Sequence, residues 1–449
     1  MEKQTSSKAK LLEFIPSPSR PPVVITHGVI GWLKKHLFGS IWNSLLTIAA
    51  FCLLYLLLKP FIQWAVIEAV WFASTRRECM EISPDGACWA GVFSWFNNLI
   101  YGRYPNELQW RINLGFFIGL IWLVPLFLKK LKNKITIAIM AVILYPFLAN
   151  FLFAGTGADT GCMHYIIACV ALAYLVQIYI DIILIYTNCR QTGQYLEPLL
   201  ERNFPKKASL LSNLICLGIL SFLIVLIFQD IHLKQVPIDM WGGLFLTVVI
   251  SSFSIVMALP IGIFLALGRR SEMPVIKWFS IAVIELVRSV PMITVLFMSV
   301  TMMPLFFPNT MDLNKLSQVI IAVCIFAGAY MAETVRGGLQ SIPSGQFDAA
   351  KSVGLGFWKT MFLIILPQAL RLMIPNIVTS FISMFKDTTL VSIIGLFDIM
   401  LMARNISIDK DWYGLHSEPL VAISFIFFIV CYGMSQYSQY LEKKLKTSH

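Results

Sequence analysis

An all-α integral membrane protein with about ten transmembrane helices is the fold class that the sequence predicts, and three observations predict it. Of 449 residues, 57% are hydrophobic and 13% charged, against roughly 45–50% and about 25% in soluble domains. Mean hydropathy is +0.75. Apolar runs of about 20 residues, enough to cross a bilayer as a helix, recur along nearly the whole chain. This composition excludes a water-soluble enzyme, a single-span receptor, a disordered chain, collagen and a coiled coil.

The elements follow in order. Residues 1–39 are polar and carry Pro16, Pro18, Pro21 and Pro22. They lack the apolar core and small-residue cleavage site of a signal peptide, so a flexible cytosolic tail is expected. Candidate spans then lie near 40–59, 112–128, 135–155, 164–187, 208–229, 240–268, 277–302, 316–335, 361–383 and 417–438. The seventh contains Glu285, Arg288 and Pro291, and the apolar run 388–402 is short for a span. A basic tail, 441–449, closes the chain.

With the N-terminus inside, the segments that fall inside carry a roughly threefold excess of Lys and Arg over those outside. Clusters at 129–134 and 443–446 anchor that assignment. It places both ends in the cytoplasm and accounts for the net charge of +11 without nucleic acid, for which no binding motif is present. The outer loop 60–111 holds Trp64, Trp71, Trp89, Trp95, Tyr101, Tyr104 and Trp110. An aromatic belt at the membrane surface is the simpler explanation, and a docking surface for an outside partner is the other. Cys79 and Cys88 in that loop are compatible with a disulfide or with two free thiols, and their spacing does not choose. The six histidines are scattered, so no metal site is expected.

The two halves differ in character. Residues 1–230 hold apolar spans with few charges inside them, Asp181 being an exception; residues 240–440 carry charges and prolines in or beside spans, where such groups are costly and mark function. The most informative stretch is 330–390. Pro343 and Gly345 interrupt the incoming helix. Gln346 to Val353 reads as a short helix with Asp348, Ala349 and Ala350 together, and Gly354 supplies the φ > 0 residue that ends it. The small side chains allow another surface to come close. A short helix between two spans has the form of a lever that something else pushes.

This stretch resembles the cytosolic Glu-Ala-Ala loop of type I ABC importer permeases, with Asp348 in place of the Glu and Leu366-Pro367 downstream. Ala332-Glu333, Arg336-Gly337-Gly338, Gly345-Gln346, Pro367-Gln368-Ala369-Leu370-Arg371 and Lys386-Asp387-Thr388 resemble the polar amino acid (histidine and glutamine) branch. Upstream, Trp241-Gly242-Gly243, Gly268-Arg269-Arg270 and Glu285-Leu286-Val287-Arg288 followed by Pro291 resemble the same branch, with Ser289-Val290 where Gly-Thr is common. In order and spacing the matches cover about 240–440. The extra first half, with Cys88-Trp89 and Tyr101-Gly102-Arg103-Tyr104-Pro105, looks like the permease of the general L-amino acid ABC transporter.

The resemblance implies a permease domain at 240–440 behind a transmembrane extension at 40–230, in a bacterial inner membrane. It implies ABC ATPase subunits, a second and related permease, a periplasmic amino acid-binding protein and membrane lipid as partners. Contact with the ATPase falls to Gly345, Gln346, Asp348, Ala349, Ala350 and Gly354. Glu285, Arg288, Glu333, Arg336, Lys386 and Asp387 are candidates for path or gate residues, with helix-end anchoring carrying equal weight. The nearest string to a phosphate-binding loop, Gly354 to Thr360, lacks the glycine before Lys359. ATP and Mg are therefore expected on a separate subunit, with no cofactor, metal or covalent chemistry in this chain. The competing reading is an ion-coupled secondary transporter relying on Asp181 or Glu285.

Overall fold

The computed structural model describes residues 28–128, 134–155, 166–179, 221, 233–306 and 314–446. Asp181, the span expected at 208–229 and nearly all of the basic cluster at 129–134 lie outside the described residues. The described chain is helical, joined only by isolated backbone bridges. In order the helices are α1 Gly28–His36, α2 Ile41–Ile62, α3 Arg76–Ile82, α4 Trp89–Ser94, α5 Phe96–Tyr101, α6 Gln109–Phe127, α7 Lys134–Ala154 and α8 Ile166–Tyr179. The second half contributes α9 Gly243–Arg269, α10 Pro274–Ser289, α11 Met292–Phe306, α12 Lys315–Gln340, α13 Ser344–Ser352, α14 Phe357–Thr360, α15 Leu366–Asp387, α16 Ile399–Ile406 and α17 Ser417–Lys446.

Seven helices among the described residues are long and apolar enough to cross a membrane, or eight if α10 and α11 count as one bent span. Three expectations change in detail. The N-terminal tail includes a helix, α1, rather than running irregularly to residue 39. The expected span at 277–302 is bent by 108° between α10 and α11, because Pro291 lacks an N–H and disfavours helical geometry in the residue before it. The short run at 388–402 continues α15 as a 3₁₀ turn, Thr388–Ile394, which stops at Gly395 before α16.

The chain divides into two compact units, 1–71 with 77–87, and 72–76 with 88–449. In the described part of the first, Ser40 accepts from the Asn43 N–H and starts α2. No residue of α2 is buried, as suits a helix solvated by lipid or covered by another chain. A π turn, Gln63–Ile67, ends the span, and the Ala87 N–H donates to the Trp64 carbonyl at 2.9 Å. Cys79 of this unit is disulfide-bonded, as is Cys88 of the second.

The second unit is organised around α9 and α12, which pack along their lengths. Asn314 caps α12 by accepting from the Ser317 N–H at 2.9 Å. Between membrane helices, close backbone approach replaces the hydrophobic drive available in water. Gly262 provides it here: a Cβ at that position would lie 2.7 Å from the Met331 Cβ and 2.9 Å from the Ala332 nitrogen.

One end of these spans is closed by backbone contacts. Gly102 bridges to Trp241, and Gly243 to Asp398. The fully buried Arg111 donates to the Leu152 carbonyl at 2.7 Å, near the C-terminus of α7, and to the Lys234 carbonyl at 2.8 Å. Tyr104, also buried, donates to the Phe153 carbonyl at 2.8 Å. Part of the aromatic set in 60–111 is therefore structural rather than a belt, while Trp71 and Trp110 remain exposed.

A Gly262→Val variant should lower the thermal unfolding midpoint in detergent, since forcing a branched side chain into a packed contact costs about 1–3 kcal/mol. Gly345→Ala, where an added Cβ meets nothing within 4 Å, should leave the midpoint unchanged.

Candidate functional site

The short helix α13 is set by local chemistry. Pro343 precedes it with φ −58° and ψ 141°. At its other end the Gly354 N–H donates to the Lys351 carbonyl at 2.9 Å and the Leu355 N–H to the Ala350 carbonyl at 3.1 Å. Together with φ +77° at Gly354 this is a Schellman stop, which a residue with a Cβ would strain.

Of the residues expected to meet an ATPase, Gly345, Gln346, Asp348, Ala349 and Gly354 are exposed, and Ala350 is buried against the body of the unit. Phe347 is half-buried beneath the Arg270 guanidinium, 5.0 Å above its ring. The Gln368 amide reaches the Gln346 side-chain oxygen at 3.3 Å. Val353, Phe357 and Trp358 extend an exposed apolar rim beyond α13. The result is a helix held from beneath, presenting small side chains, one carboxylate and an apolar edge.

Close behind it is a charge cluster. Glu333 on α12 accepts from Arg336 Nε at 2.7 Å and from a second nitrogen of the same guanidinium. Its other oxygen lies 3.6 Å from Arg269 on α9 and 3.6 Å from Arg288 on α10. Arg269 also pairs with Glu285 at 2.9 Å, and Arg288 sits 5.6 Å from the Tyr330 ring centre. The structure thus gathers Glu285, Arg288, Glu333 and Arg336, and adds Arg269, which the sequence marks as part of a family motif but not as a path or gate candidate. Three guanidinium groups and two carboxylates leave one positive charge in excess. Lys386 and Asp387 do not join: they lie at the other end of α15, whose 22 residues span about 33 Å.

That opposite end holds a polar site absent from the sequence reading. Asp398 is fully buried, and one of its oxygens accepts from the Leu401 N–H at 2.9 Å, capping α16. Its other oxygen accepts no hydrogen bond among the described residues, and Thr247 Oγ1 accepts from the neighbouring Ile399 N–H at 3.3 Å. Burial pushes the Asp398 carboxyl up to about 7, against the lowering effects of the Leu401 and Met400 N–H groups and the Arg404 charge. The local signal was an Asp immediately before a helix, the ordinary mark of a cap.

Among the described residues no cluster of three or more His, Cys, Asp or Glu side chains is placed to hold a metal. The arrangement combines an exposed short helix with a charge cluster where three spans converge.

Comparison with known proteins gives the family. Residues 258–447 match the family described as "Binding-protein-dependent transport system inner membrane component". The chain is 37% identical over 432 residues to the inner membrane amino-acid ABC transporter permease protein YhdY of Escherichia coli (strain K12), covering 96% of this chain and 97% of that one. It is 35% identical over 440 residues to the glutamate/glutamine/aspartate/asparagine transport system permease protein BztC of Rhodobacter capsulatus, covering 96% of each. A crystal structure of an amino acid ABC transporter with histidines is 28% identical, covers 45% of this chain and 92% of that one, and gives a TM-score of 0.41.

The raised pKa of Asp398 fixes a sign. Between about pH 4 and pH 7 the folded chain holds a proton that the unfolded chain has released, so this group's contribution to stability falls as pH rises through that window. The stability of an Asp398→Asn variant relative to the parent should therefore rise, by on the order of 4 kcal/mol, between about pH 4 and pH 8. Unfolding midpoints in detergent across that range check it.

Proposed function

The chain belongs to the amino-acid ABC transporter permeases, and from that premise we propose that it forms part of the translocation path of an ATP-driven, binding-protein-dependent amino acid importer. It is a transport subunit. The observation that carries the mechanism is α13, an exposed helix locked between Pro343 and Gly354 and seated on Ala350 and Phe347. ATP and Mg bind separate ATPase subunits, which grip α13 through Gly345, Gln346, Asp348, Ala349 and Gly354. A second, related permease completes the path, and an outside binding protein delivers substrate.

The α13 end then faces the cytoplasm, consistent with Arg269, Arg270, Arg336 and Lys351 gathering there. The end closed by Arg111 and Asp398 faces the periplasm of a bacterial inner membrane. In domain terms, 240–440 is the permease core, 40–230 an N-terminal extension, and 1–39 and 441–449 are cytosolic tails.

ATP binding closes the ATPase pair, and α13 moves with it. Because α12 enters α13 through only Ser341, Ile342 and Pro343, that motion reaches the Glu333 hub within a few residues. The hub distributes it to α9 and α10, giving rigid-body alternation of the spans. The ligand-driven shift is bounded by the differential binding energy that the ATPase delivers through α13.

Mild extraction and mass spectrometry of the co-purifying chains test the assembly: an ATP-binding subunit and a second permease are expected, and this chain alone would sink the proposal. Asp348→Lys should abolish substrate-stimulated ATP hydrolysis and uptake while the protein still inserts. Gly354→Val should do the same by strain at φ +77°, without altering charge. Uptake at the parent rate in both variants would remove α13 as the coupling element.

A further inference from the structure

Between α15, α17 and the Pro260 region of α9 lies an open cavity of about 570 Å³, within the range of ligand sites. Its floor is Leu370, Ile374, Ile377, Val378 and Phe381 of α15, with Met434 and Tyr437 of α17 facing them. The single charged lining residue is Arg371, which forms no ion pair among the described residues. Glu442 and Lys443 follow the lining residue Leu441 and offset each other, so Arg371 sets the charge at the mouth.

The lining disfavours two occupants. An amino acid zwitterion would lose its hydration and find almost no polar atom to replace it. A close-packed partner helix would need small residues for backbone approach, and the lining contains no Gly, Ala, Ser or Thr. The dimensions favour a third. Arg371 to Phe381 is ten residues of helix, about 15 Å, or half of a hydrocarbon core of about 30 Å. The groove is therefore about one leaflet long, with its one cation at the end of α15 nearer α13. It also borders α17, whose spanning window is almost wholly unburied.

We propose that this groove is a phospholipid site: one acyl chain of an anionic phospholipid from the leaflet on the α13 side lies along Ile374–Phe381, and its phosphate rests on Arg371. A lipid there would wedge α15 against α17, next to the helix that α13 feeds. The assignment rests on groove shape and charge and does not depend on the transported solute.

The test uses the full-length chain in its native membrane and phosphatidylglycerol carrying a diazirine near the end of one acyl chain. Adducts are expected between residues 374 and 381 and between 434 and 441. Arg371→Gln should cut them about fivefold, the factor one basic residue contributes toward anionic lipid, and Arg371→Lys should restore them. Ile374→Trp, which fills the groove, should remove them. Adducts spread evenly over exposed helices such as α2, or unchanged in Arg371→Gln, would reduce the groove to ordinary lipid contact. Cross-linking from Val378→Cys to a second permease in place of lipid labelling would overturn the proposal in favour of a protein interface. Labelling is read without uptake or ATP hydrolysis, so its failure would leave the importer reading untouched.

Discussion

Glu333 holds the ends of three helices together, and the rest of the second half is arranged around that fact. An ionised group at the edge of a bilayer is tolerated when it is paired, and removing one partner of a paired charge leaves the other uncompensated. Glu333 answers Arg269, Arg288 and Arg336 at once, from α9, α10 and its own helix. Apolar packing between these helices would let them slide with little preference for register. A carboxylate shared by three guanidinium groups has a direction and a short range, so it fixes which turns lie level. The same residue stands two turns before the end of α12, and α13 begins four residues after that end. Force on the exposed helix therefore meets a defined junction rather than a soft one.

The two ends of the spans are built from different materials. At the α13 end, the paired side chains are 23–56% exposed, so water screens them and exchange of partners is cheap. At the other end Arg111 and Asp398 are fully buried, and the closure relies on backbone carbonyls at Leu152, Phe153 and Lys234. Breaking a buried hydrogen bond leaves an unsatisfied group that costs about 1–3 kcal/mol. Rearrangement is thus easier where α13 sits than where Arg111 sits, which is the asymmetry a lever and a fulcrum require.

Much of this was legible in the sequence where the cause is local. Pro343 and Gly354 delimit α13 because a helix stop is written within a few residues. Glu285, Arg288, Glu333 and Arg336 stood out because charges within apolar runs are rare. Long-range causes were not legible. Arg111 directly precedes an apolar run and reads as the last charge of a loop; only the fold brings the carbonyls of residues 152 and 234 to it. Arg269 reads as a loop cation until α10 and α12 place two carboxylates beside it. Pro291 announced an irregularity, but its 108° consequence depends on where α11 packs. Asp398 sits where any helix cap would, and its burial comes from Gly243 and Thr247, more than 150 residues upstream.

The distribution of charge also bears on what one copy can do by itself. In the second half, the charged residues of α9, α12, α15 and α17 lie in the outer thirds of those helices: Arg269, Lys315, Glu333, Arg336, Arg371, Lys386, Asp387, Glu418, Glu442, Lys443, Lys444 and Lys446. Their middle thirds hold hydroxyls such as Ser254 and Thr379, already bonded to carbonyls four residues back. A zwitterion at mid-depth in a single copy therefore meets no charge among these helices, and desolvating it there without compensation costs several kcal/mol per charge. Either water accompanies it or a facing chain supplies the missing groups. The proposed pairing of two permease cores meets that need, because facing chains line the space between them twice. The solvation of the solute is thus a reason of its own for the proposed pairing.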